Sequence, residues 1–247
     1  MTEGEQKKLH GAARLSRLRN SRRFLHFLDP AERKEAGCIA KEEGCEFASY
    51  GGFEDAERQI GCFYMEGYEP VSEEYPITCL TSSFDCRFSN ISHRDVLGAY
   101  MALGLTRACL GDIIIMDSRV YLFTESSVSS FIADNFQTAG KTALCFSETN
   151  VIQSIFVKPK GTYFRAVIGS FRLDAVISAA FRLSRSSAAS LIKNGNCKLD
   201  YLNCDKTDAM VSPGSILSLR GMGRVRLISM DGITRKDRIS VTFFRYD

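Results

Sequence analysis

The sequence predicts a multidomain α+β protein, and three observations support this fold class. The chain has 247 residues, which is enough for two or three small domains. Its hydrophobic fraction of 45% and charged fraction of 25% are typical of a globular protein. Helix-like and strand-like periodicities alternate in separate blocks. We therefore predict an α/β region over 1–75, a middle domain over 76–150, a linker over 151–170 and a C-terminal domain over 171–247.

The N-terminal region is predicted to contain two helices followed by two short strands. A basic helix over 6–28 is followed by a helix over 31–43, which Asp29 caps and Gly44 ends. A strand over 45–50, a turn at Gly51-Gly52, a helix opening at 53–58 and a strand over 62–65 come next. Backbone N–H groups after a Gly-Gly turn can bind an anion, but this turn lacks the Lys-Ser/Thr of a phosphate-binding loop. A tight turn is the interpretation we prefer.

The middle domain has the element order β-α-β-β-α-β. The pattern predicts strands over 77–84, 112–116, 119–123 and 142–146, with helices over 92–103 and 125–139. This order is that of ferredoxin-like domains, which include the RNA-recognition modules. Tyr121 and Phe123 lie in the strand where such modules read bases, but the usual Lys/Arg-Gly-Phe-Gly-Phe run is absent. We therefore expect these two aromatic side chains to lie in the core.

The C-terminal domain is predicted to be two helices on a small sheet. Apolar residues recur at helical spacing over 171–181 and again over 186–193. Ser184 stands where the second helix needs an N-cap, and Gly195 follows its end. Strands are predicted near 197–201, 215–220, 224–230 and 239–243.

The charges of the chain are distributed unevenly. Residues 1–150 carry 16 Lys and Arg against 22 Asp and Glu, whereas residues 151–247 carry 16 against 7. A cationic C-terminal end beside an acidic body indicates a polyanionic partner for that end. The alternative is a basic face that is merely solvated.

The cations around the predicted helix pair are the candidate RNA-binding residues. Arginine presents a planar fork of donors that matches phosphate oxygens, and the start of a helix adds free N–H groups. We expect Arg172, Arg185 and Lys198 to form one compact cationic surface without acidic partners. Ser184 is first a helix cap, and Lys193 equally fits a charge at a helix C-terminus. The full candidate set is Arg172, Ser184, Arg185, Ser186, Lys193 and Lys198, with Arg220, Arg224 and Arg226 near a glycine-rich turn.

No catalytic or metal-binding pattern emerges from the sequence. The nine cysteines are scattered without a C-x-x-C pair, and the only histidines are His10, His26 and His93. We therefore expect reduced thiols, no metal, no cofactor and no small-molecule substrate. The N-terminus lacks a secretory pattern and no run approaches the roughly 18 apolar residues of a membrane span. A cytoplasmic monomer that does not bind membranes is expected.

Several segments resemble known families. The motifs are Arg172-Leu173-Asp174, Leu183-Ser184-Arg185-Ser186 and Leu191-Ile192-Lys193-Asn194-Gly195-Asn196-Cys197-Lys198. They resemble the RNA-binding domain first known from ribosomal protein S-four. Upstream, residues 51–58, 93–99, 103–105 and 110–113 are similar to the bacterial YlmH family. That resemblance covers most of the chain, except for a loose match before about residue 45.

The resemblance implies a non-enzymatic factor. Members of this family bind the large ribosomal subunit and tRNA, and they are associated with rescue of stalled nascent chains. The expected partners are therefore rRNA, tRNA or both, and the resemblance places their contacts on Arg172, Ser184, Arg185, Ser186, Lys193 and Lys198.

Two alternatives remain open. One is an RNA-modifying enzyme related to pseudouridine synthases or methyltransferases, because Arg172-Leu173-Asp174 also resembles the catalytic motif of pseudouridine synthases. Only about 75 residues follow Asp174, so we favour a first-turn acid placed by the helix dipole. The other alternative is a protein–protein adaptor, suggested by the acidic stretch over 69–74.

Overall fold

The computed structural model describes residues 3–87, 91–149, 161–234 and 237–246. Met1–Val157 and Lys158–Asp247 form two compact units. Each unit combines helices with antiparallel sheets, in agreement with the predicted α+β class.

The first unit contains four helices and nine strands within its described residues. In chain order they are α1 (Glu3–Arg19), β1 (Arg23–Leu28), α2 (Pro30–Glu43), β2 (Glu46–Tyr50), β3 (Gln59–Tyr64), β4 (Ile77–Ser83), α3 (His93–Ala102), β5 (Leu110–Met116), β6 (Arg119–Glu125), α4 (Ser126–Asn135), β7 (Thr138–Ala139), β8 (Thr142–Ala143) and β9 (Ser147–Glu148). Short 3₁₀ turns lie at Ser72–Glu74 and Arg107–Cys109.

These elements form four layers. Helices α1 and α2 pack on one face of the sheet β1-β3-β2, and Phe63 and Ile39 lie in the core that they share. Its other face packs against a second sheet, through Ile60 on one side and Phe123 on the other. That second sheet has the order β5-β6-β4-β9 and is antiparallel throughout. Its far face is covered by α3 and α4, where Tyr100 is completely buried.

The predicted helix over 6–28 is wrong in its second half. The helix ends at Arg19, because Asn20 adopts a left-handed conformation with φ of 46°. The following residues then form β1, in which Phe27 and Leu28 are buried. Arginines lie on both sides of the helix end, so the sequence shows no change of composition where the helix stops and the strand begins.

Three other predicted elements differ from the structure. The helix over 125–139 is shorter and ends at Asn135, and the strand over 142–146 is replaced by β8 and β9. The helix opening at 53–58 does not form. There the N–H groups of Glu57 and Arg58 donate to the Asp112 carboxylate instead of starting a helix.

The second unit contains two helices and six strands within its described residues. In chain order they are β10 (Gly161–Ile168), α5 (Leu173–Phe181), α6 (Arg185–Lys193), β11 (Cys197–Leu199), β12 (Leu202–Asn203), β13 (Ile216–Leu219), β14 (Gly223–Ile233) and β15 (Ile239–Tyr246). The strands form one antiparallel sheet with the order β10-β15-β14-β13-β11-β12. Both helices pack on one face of this sheet, over a core that includes Val176, Ile192 and Phe243.

Strand β10 lies within the segment predicted as a linker. Residues 151–160 of that segment lie outside the described residues. Residues 161–168 pair with the last strand along its full length, because Phe164, Ala166 and Ile168 alternate toward the core. The sheet of the second unit therefore begins ten residues before the predicted C-terminal domain.

The ends of the helix pair follow the expected capping chemistry. The Ser187 N–H donates to Ser184 Oγ at 3.0 Å, which confirms the predicted N-cap. Arg182 ends α5 in a left-handed conformation, and Gly195 turns the chain with φ of 71° just after α6. Among the described residues, no helix has the length and apolar character needed to cross a bilayer.

Candidate nucleic-acid interface

The beginnings of α5 and α6 share one carboxylate. Arg172 Nε lies 3.3 Å from Asp174 Oδ1, and Arg185 Nη2 lies 3.2 Å from both carboxylate oxygens. The Asp174 side chain is only 12% exposed, whereas those of Arg172 and Arg185 are 44% and 59% exposed. The expectation that these cations lack acidic partners is therefore wrong for Arg172 and Arg185. Burying the charged Asp174 carboxylate costs free energy unless it is paired with cations that donate hydrogen bonds. Arg172 and Arg185 are those cations.

The electrostatics of this cluster favour the ionised carboxylate. Burial raises the pKa of Asp174, but hydrogen bonds from Arg172, Arg185 and the Ala175 N–H outweigh it. The pKa of Asp174 consequently lies below its ordinary value. Two guanidinium groups on one carboxylate leave a net positive charge, and Arg185 contacts Asp174 through Nη2 alone. Its Nε and Nη1 groups stay outside that contact.

Lys198 lies on a different surface from this cluster. Its neighbours Cys197 and Leu199 pack into the core beneath the helices. Since successive strand residues face opposite sides, Lys198 lies on the sheet face away from α5 and α6. The predicted single surface is therefore divided between the helix N-termini and the far side of the sheet. Lys193 is exposed in the last turn of α6, at the opposite end of that helix from Arg185.

We call the sheet face opposite the helices the outer face, and Lys198, Ser218, Arg224 and Arg226 define it. Lys198 pairs with Ser218, which pairs with Arg224, so these three side chains stand in a row across β11, β13 and β14. Arg226 lies two residues further along β14, and its Nε donates to the Gly214 carbonyl at 3.2 Å. Three predicted RNA-binding cations therefore share this face.

Arg220 and Ser186 are exposed near the ends of secondary-structure elements. Arg220 lies in the turn between β13 and β14, and Ser186 lies in the first turn of α6. The Ser186 hydroxyl is 2.9 Å from that of the N-cap Ser184.

Aromatic side chains that were not in the predicted set continue the outer face. The guanidinium carbon of Arg224 lies 5.3 Å from the ring centroid of Tyr201 and 5.8 Å from that of Tyr246. The Tyr246 ring lies 5.0 Å from Phe244, which lies 4.9 Å from Tyr163. The outward position of Phe244 could have been predicted from the sequence, because it follows the core residue Phe243 in the same strand. Tyr163 was missed because its strand was assigned to a linker.

The aromatic residues of the middle sheet lie in the core, as expected. Phe123 is completely buried, and its ring centroid lies 4.9 Å from that of Phe53. Tyr121 packs on the edge of the same cluster. The N-terminal sheet therefore covers the face of the middle sheet that carries these aromatic side chains.

Asp112 connects two of the segments that carry the upstream resemblance. Its carboxylate accepts the Glu57 N–H at 2.6 Å and the Arg58 N–H at 3.2 Å. Arg58 Nε in turn donates to the Leu110 carbonyl at 2.9 Å. Burial raises the pKa of Asp112. The N–H groups after the Gly-Gly turn thus bind an anion of the chain itself, which gives these segments a structural role.

Within the described part of the chain, one group of potential metal ligands forms from residues far apart in the sequence. Single ligand atoms of His26, Cys109 and Glu125 all lie within 4.8 Å of one another. Sequence spacing could not reveal this group, because the residues come from three elements. However, His26 Nδ1 is only 2.6 Å from Glu125 Oε1. Two ligands of a tetrahedral zinc ion lie about 3.3 Å apart, so this contact is a hydrogen bond rather than a prepared metal site.

Comparisons with known proteins match most of the chain. A family model described as "Putative RNA-binding domain in YlmH" matches residues 70–153. The "Ribosome-associated protein quality control protein P2" of Bacillus subtilis (strain 168) is 30% identical over 223 residues, which cover 89% of this chain and 85% of that protein. The solved structure of "Cell division protein ylmH from Streptococcus pneumoniae" is similar with a TM-score of 0.49 and 18% identity, over 60% of this chain and 93% of that one.

The identity to the Bacillus subtilis protein extends over most of both chains. The family model covers the region between the N-terminal sheet and the second unit. The chain therefore belongs to the YlmH family.

Proposed function

We propose that this chain is an RNA-binding factor that acts on the ribosome and carries out no chemistry of its own. The observation that carries the proposal is the cationic outer face, with Lys198 on β11 and Arg224 and Arg226 on β14, separated by β13. Several cations on one face can neutralise several phosphates of one RNA and release their counterions. The description of the matching family model and the name of the Bacillus subtilis relative support an RNA partner and a role in protein quality control.

The proposal assigns the predicted folds to the parts of the chain. The strand order β9-β4-β6-β5 with two helices on one face supports a ferredoxin-like middle domain. Two short helices on one face of an antiparallel sheet, the second of them capped by Ser184, support an S-four domain at the C-terminus. We propose domains over 1–75, 76–150 and 171–247, with β10 added to the last of these.

The partners we propose are rRNA, tRNA or both, on the large ribosomal subunit. Lys198, Arg220, Arg224 and Arg226 provide the contacts with phosphates, and Lys193 adds charge at the end of α6. Arg172 and Arg185 have a smaller share of the affinity, since Asp174 holds part of their donor capacity. Ser184 and Ser186 offer hydroxyl groups at the start of α6.

The environment of Asp174 favours binding over catalysis. A catalytic carboxylate must reach its substrate, but this one is largely buried and bonded to two arginines. That arrangement supports the binding factor over a pseudouridine synthase. A cytoplasmic monomer without a cofactor remains our prediction.

The test is the affinity of a charge-removal variant for purified large ribosomal subunits. The double variant Lys198→Gln/Arg226→Gln should bind at least about tenfold more weakly at fixed salt, because two phosphate contacts are lost. The matched control is Lys8→Gln/Arg19→Gln, which removes two exposed cations from the first unit. Unchanged sedimentation of the Lys198/Arg226 variant with the subunits would contradict the proposal.

A further inference from the structure

We propose that the outer face of the C-terminal sheet is a stacking platform for unpaired bases of single-stranded RNA. This inference rests on the proposed RNA-binding function and adds the chemical class of RNA that the face selects. The juxtaposition that carries it is a continuous band of aromatic rings and a guanidinium group, flanked by cations.

The band crosses the sheet without interruption. It begins at Tyr201 in the turn after β11, passes through Arg224 and Tyr246, and ends at Phe244 and Tyr163. Each step between neighbours is 5.8 Å or less. The band has two members on β15 and none on β13, so its members are spaced unevenly across the sheet. Its exposed rings and the guanidinium plane can each stack on one base of a flexible single strand.

The end of the band is exposed although it is aromatic. Tyr163 is 70% exposed, while Phe244, whose ring centroid lies 4.9 Å away, is only 6% exposed. Gly161 packs closely against the Phe244 ring. A Cβ at this position would come within 2.6 Å of Phe244 Cζ. Tyr163 is thus open to solvent while its ring contacts a nearly buried aromatic neighbour. A tyrosine side chain has only two χ angles, so it loses little conformational entropy when a base stacks on its ring.

The charges beside the band suit a polyanion. Lys198 and Arg226 are exposed on the same face, and Ser218 places a hydroxyl group between the β11 and β14 cations. The Asp231 carboxylate accepts a hydrogen bond from Thr242 Oγ1 at 2.7 Å and lies 3.9 Å from Arg165 Nε, so its negative charge is partly compensated within the protein. Tyrosine and arginine also favour protein interfaces, but the excess of cations here favours phosphate.

The aromatic band distinguishes single-stranded from double-stranded RNA. In a duplex the faces of the bases are covered by their neighbours, so side chains reach mainly phosphates and 2′-hydroxyl groups. In a single strand each base can stack on an aromatic or guanidinium plane. The cations alone would bind both forms, whereas the rings favour the single strand.

The experiment measures affinity for a labelled single-stranded RNA and for a duplex of equal length. Tyr163→Ala should weaken binding of the single strand by at least about fivefold, since the loss of one stacked base has an effect of this size. Duplex affinity should change less than twofold. Ile233→Ala is the matched control, because it removes an equally exposed apolar side chain (68%) from the far end of the sheet.

A second variant reports stacking directly and does not depend on loss of affinity. The chain contains no tryptophan, so Tyr163→Trp introduces a single reporter. Single-stranded RNA should quench its fluorescence and bind at least as tightly as it binds the parent protein. Melting temperatures of both variants monitor the fold.

The outcomes separate the two proposals. If Tyr163→Ala leaves single-strand affinity unchanged while Lys198→Gln/Arg226→Gln still weakens binding to ribosomal subunits, the platform is overturned and the RNA-binding function stands. If Tyr163→Ala weakens only binding to ribosomal subunits and not to free RNA, the face contacts protein, and the platform is again overturned. If the parent protein binds neither RNA nor subunits, both proposals fail.

Discussion

At the scale of single residues, one buried carboxylate organises the start of the helix pair. Asp174 is bonded to Arg172 on its own helix and to Arg185 on the next, and it also accepts the Ala175 N–H. Removing either arginine leaves the largely buried carboxylate with one charged donor fewer. The arrangement therefore stabilises the packing of α5 on α6.

Asp174→Asn should destabilise the second unit in a pH-dependent manner. Hydrogen bonds of charged groups contribute roughly 1–3 kcal/mol, and we expect a loss of about that size near pH 7. The folded-state pKa of Asp174 is lowered, so its contribution is present above the unfolded pKa and is lost as pH falls through the folded pKa. The difference between parent and variant should shrink below about pH 4. Denaturant unfolding at several pH values measures it.

The control for this prediction is Asp205→Asn, which changes an exposed carboxylate in the same unit. It should alter the free energy of unfolding by less than about 0.5 kcal/mol. A constant difference between the parent and Asp174→Asn down to pH 3 would show that the carboxylate charge contributes nothing.

At the scale of elements, the turn before β3 is fitted closely against β6. Gly52 has φ of 96°, and a Cβ at this position would come within 2.5 Å of the Phe123 ring. Phe123 is completely buried between the two sheets of the first unit, so its ring has little room to move. The Gly-Gly turn is thus a packing device.

Gly52→Ala should therefore destabilise the first unit strongly. A left-handed conformation costs a non-glycine residue roughly 1–2 kcal/mol, and overpacking a core adds roughly 1–3 kcal/mol. Gly67→Ala is the matched control, because Gly67 also has positive φ (82°) but no atom within 4 Å of the added Cβ. Chemical denaturation should show a larger loss for Gly52→Ala by at least about 1 kcal/mol. Equal losses would refute the steric explanation.

The elements show how far the sequence leads and where it stops. Local signals were sufficient for α5 and α6, because their apolar spacing and the Ser184 cap lie within one short segment. The site was harder, because its geometry depends on contacts across the fold. Nothing local shows that Asp174 pairs with Arg185, eleven residues away on another helix. Tyr163 lies beside Phe244 because the first and last strands of the second unit pair with each other. This pairing between distant segments cannot be read from local sequence either.

At the scale of the whole molecule, charge is separated along the chain. The net charge of +3 combines an acidic segment over 1–150 with a strongly basic segment over 151–247. Binding of a polyanion depends on the cations that it contacts and not on the total charge, because each contact releases counterions. The salt dependence of RNA binding should therefore report the second unit alone.

Binding of single-stranded RNA should follow this local rule. If Lys198, Arg220, Arg224 and Arg226 each neutralise one phosphate, the logarithm of the binding constant should fall with the logarithm of salt with a slope of about −3. Arg226→Gln should make that slope shallower by about 0.7. Glu42→Gln/Glu66→Gln raises the net charge from +3 to +5 through exposed residues of the first unit, and it should leave the slope unchanged. Titrations between about 50 and 200 mM salt measure all three slopes. A changed slope for Glu42→Gln/Glu66→Gln would mean that salt-dependent binding depends on the net charge of the whole molecule. The prediction that the outer face alone sets the slope would then be wrong.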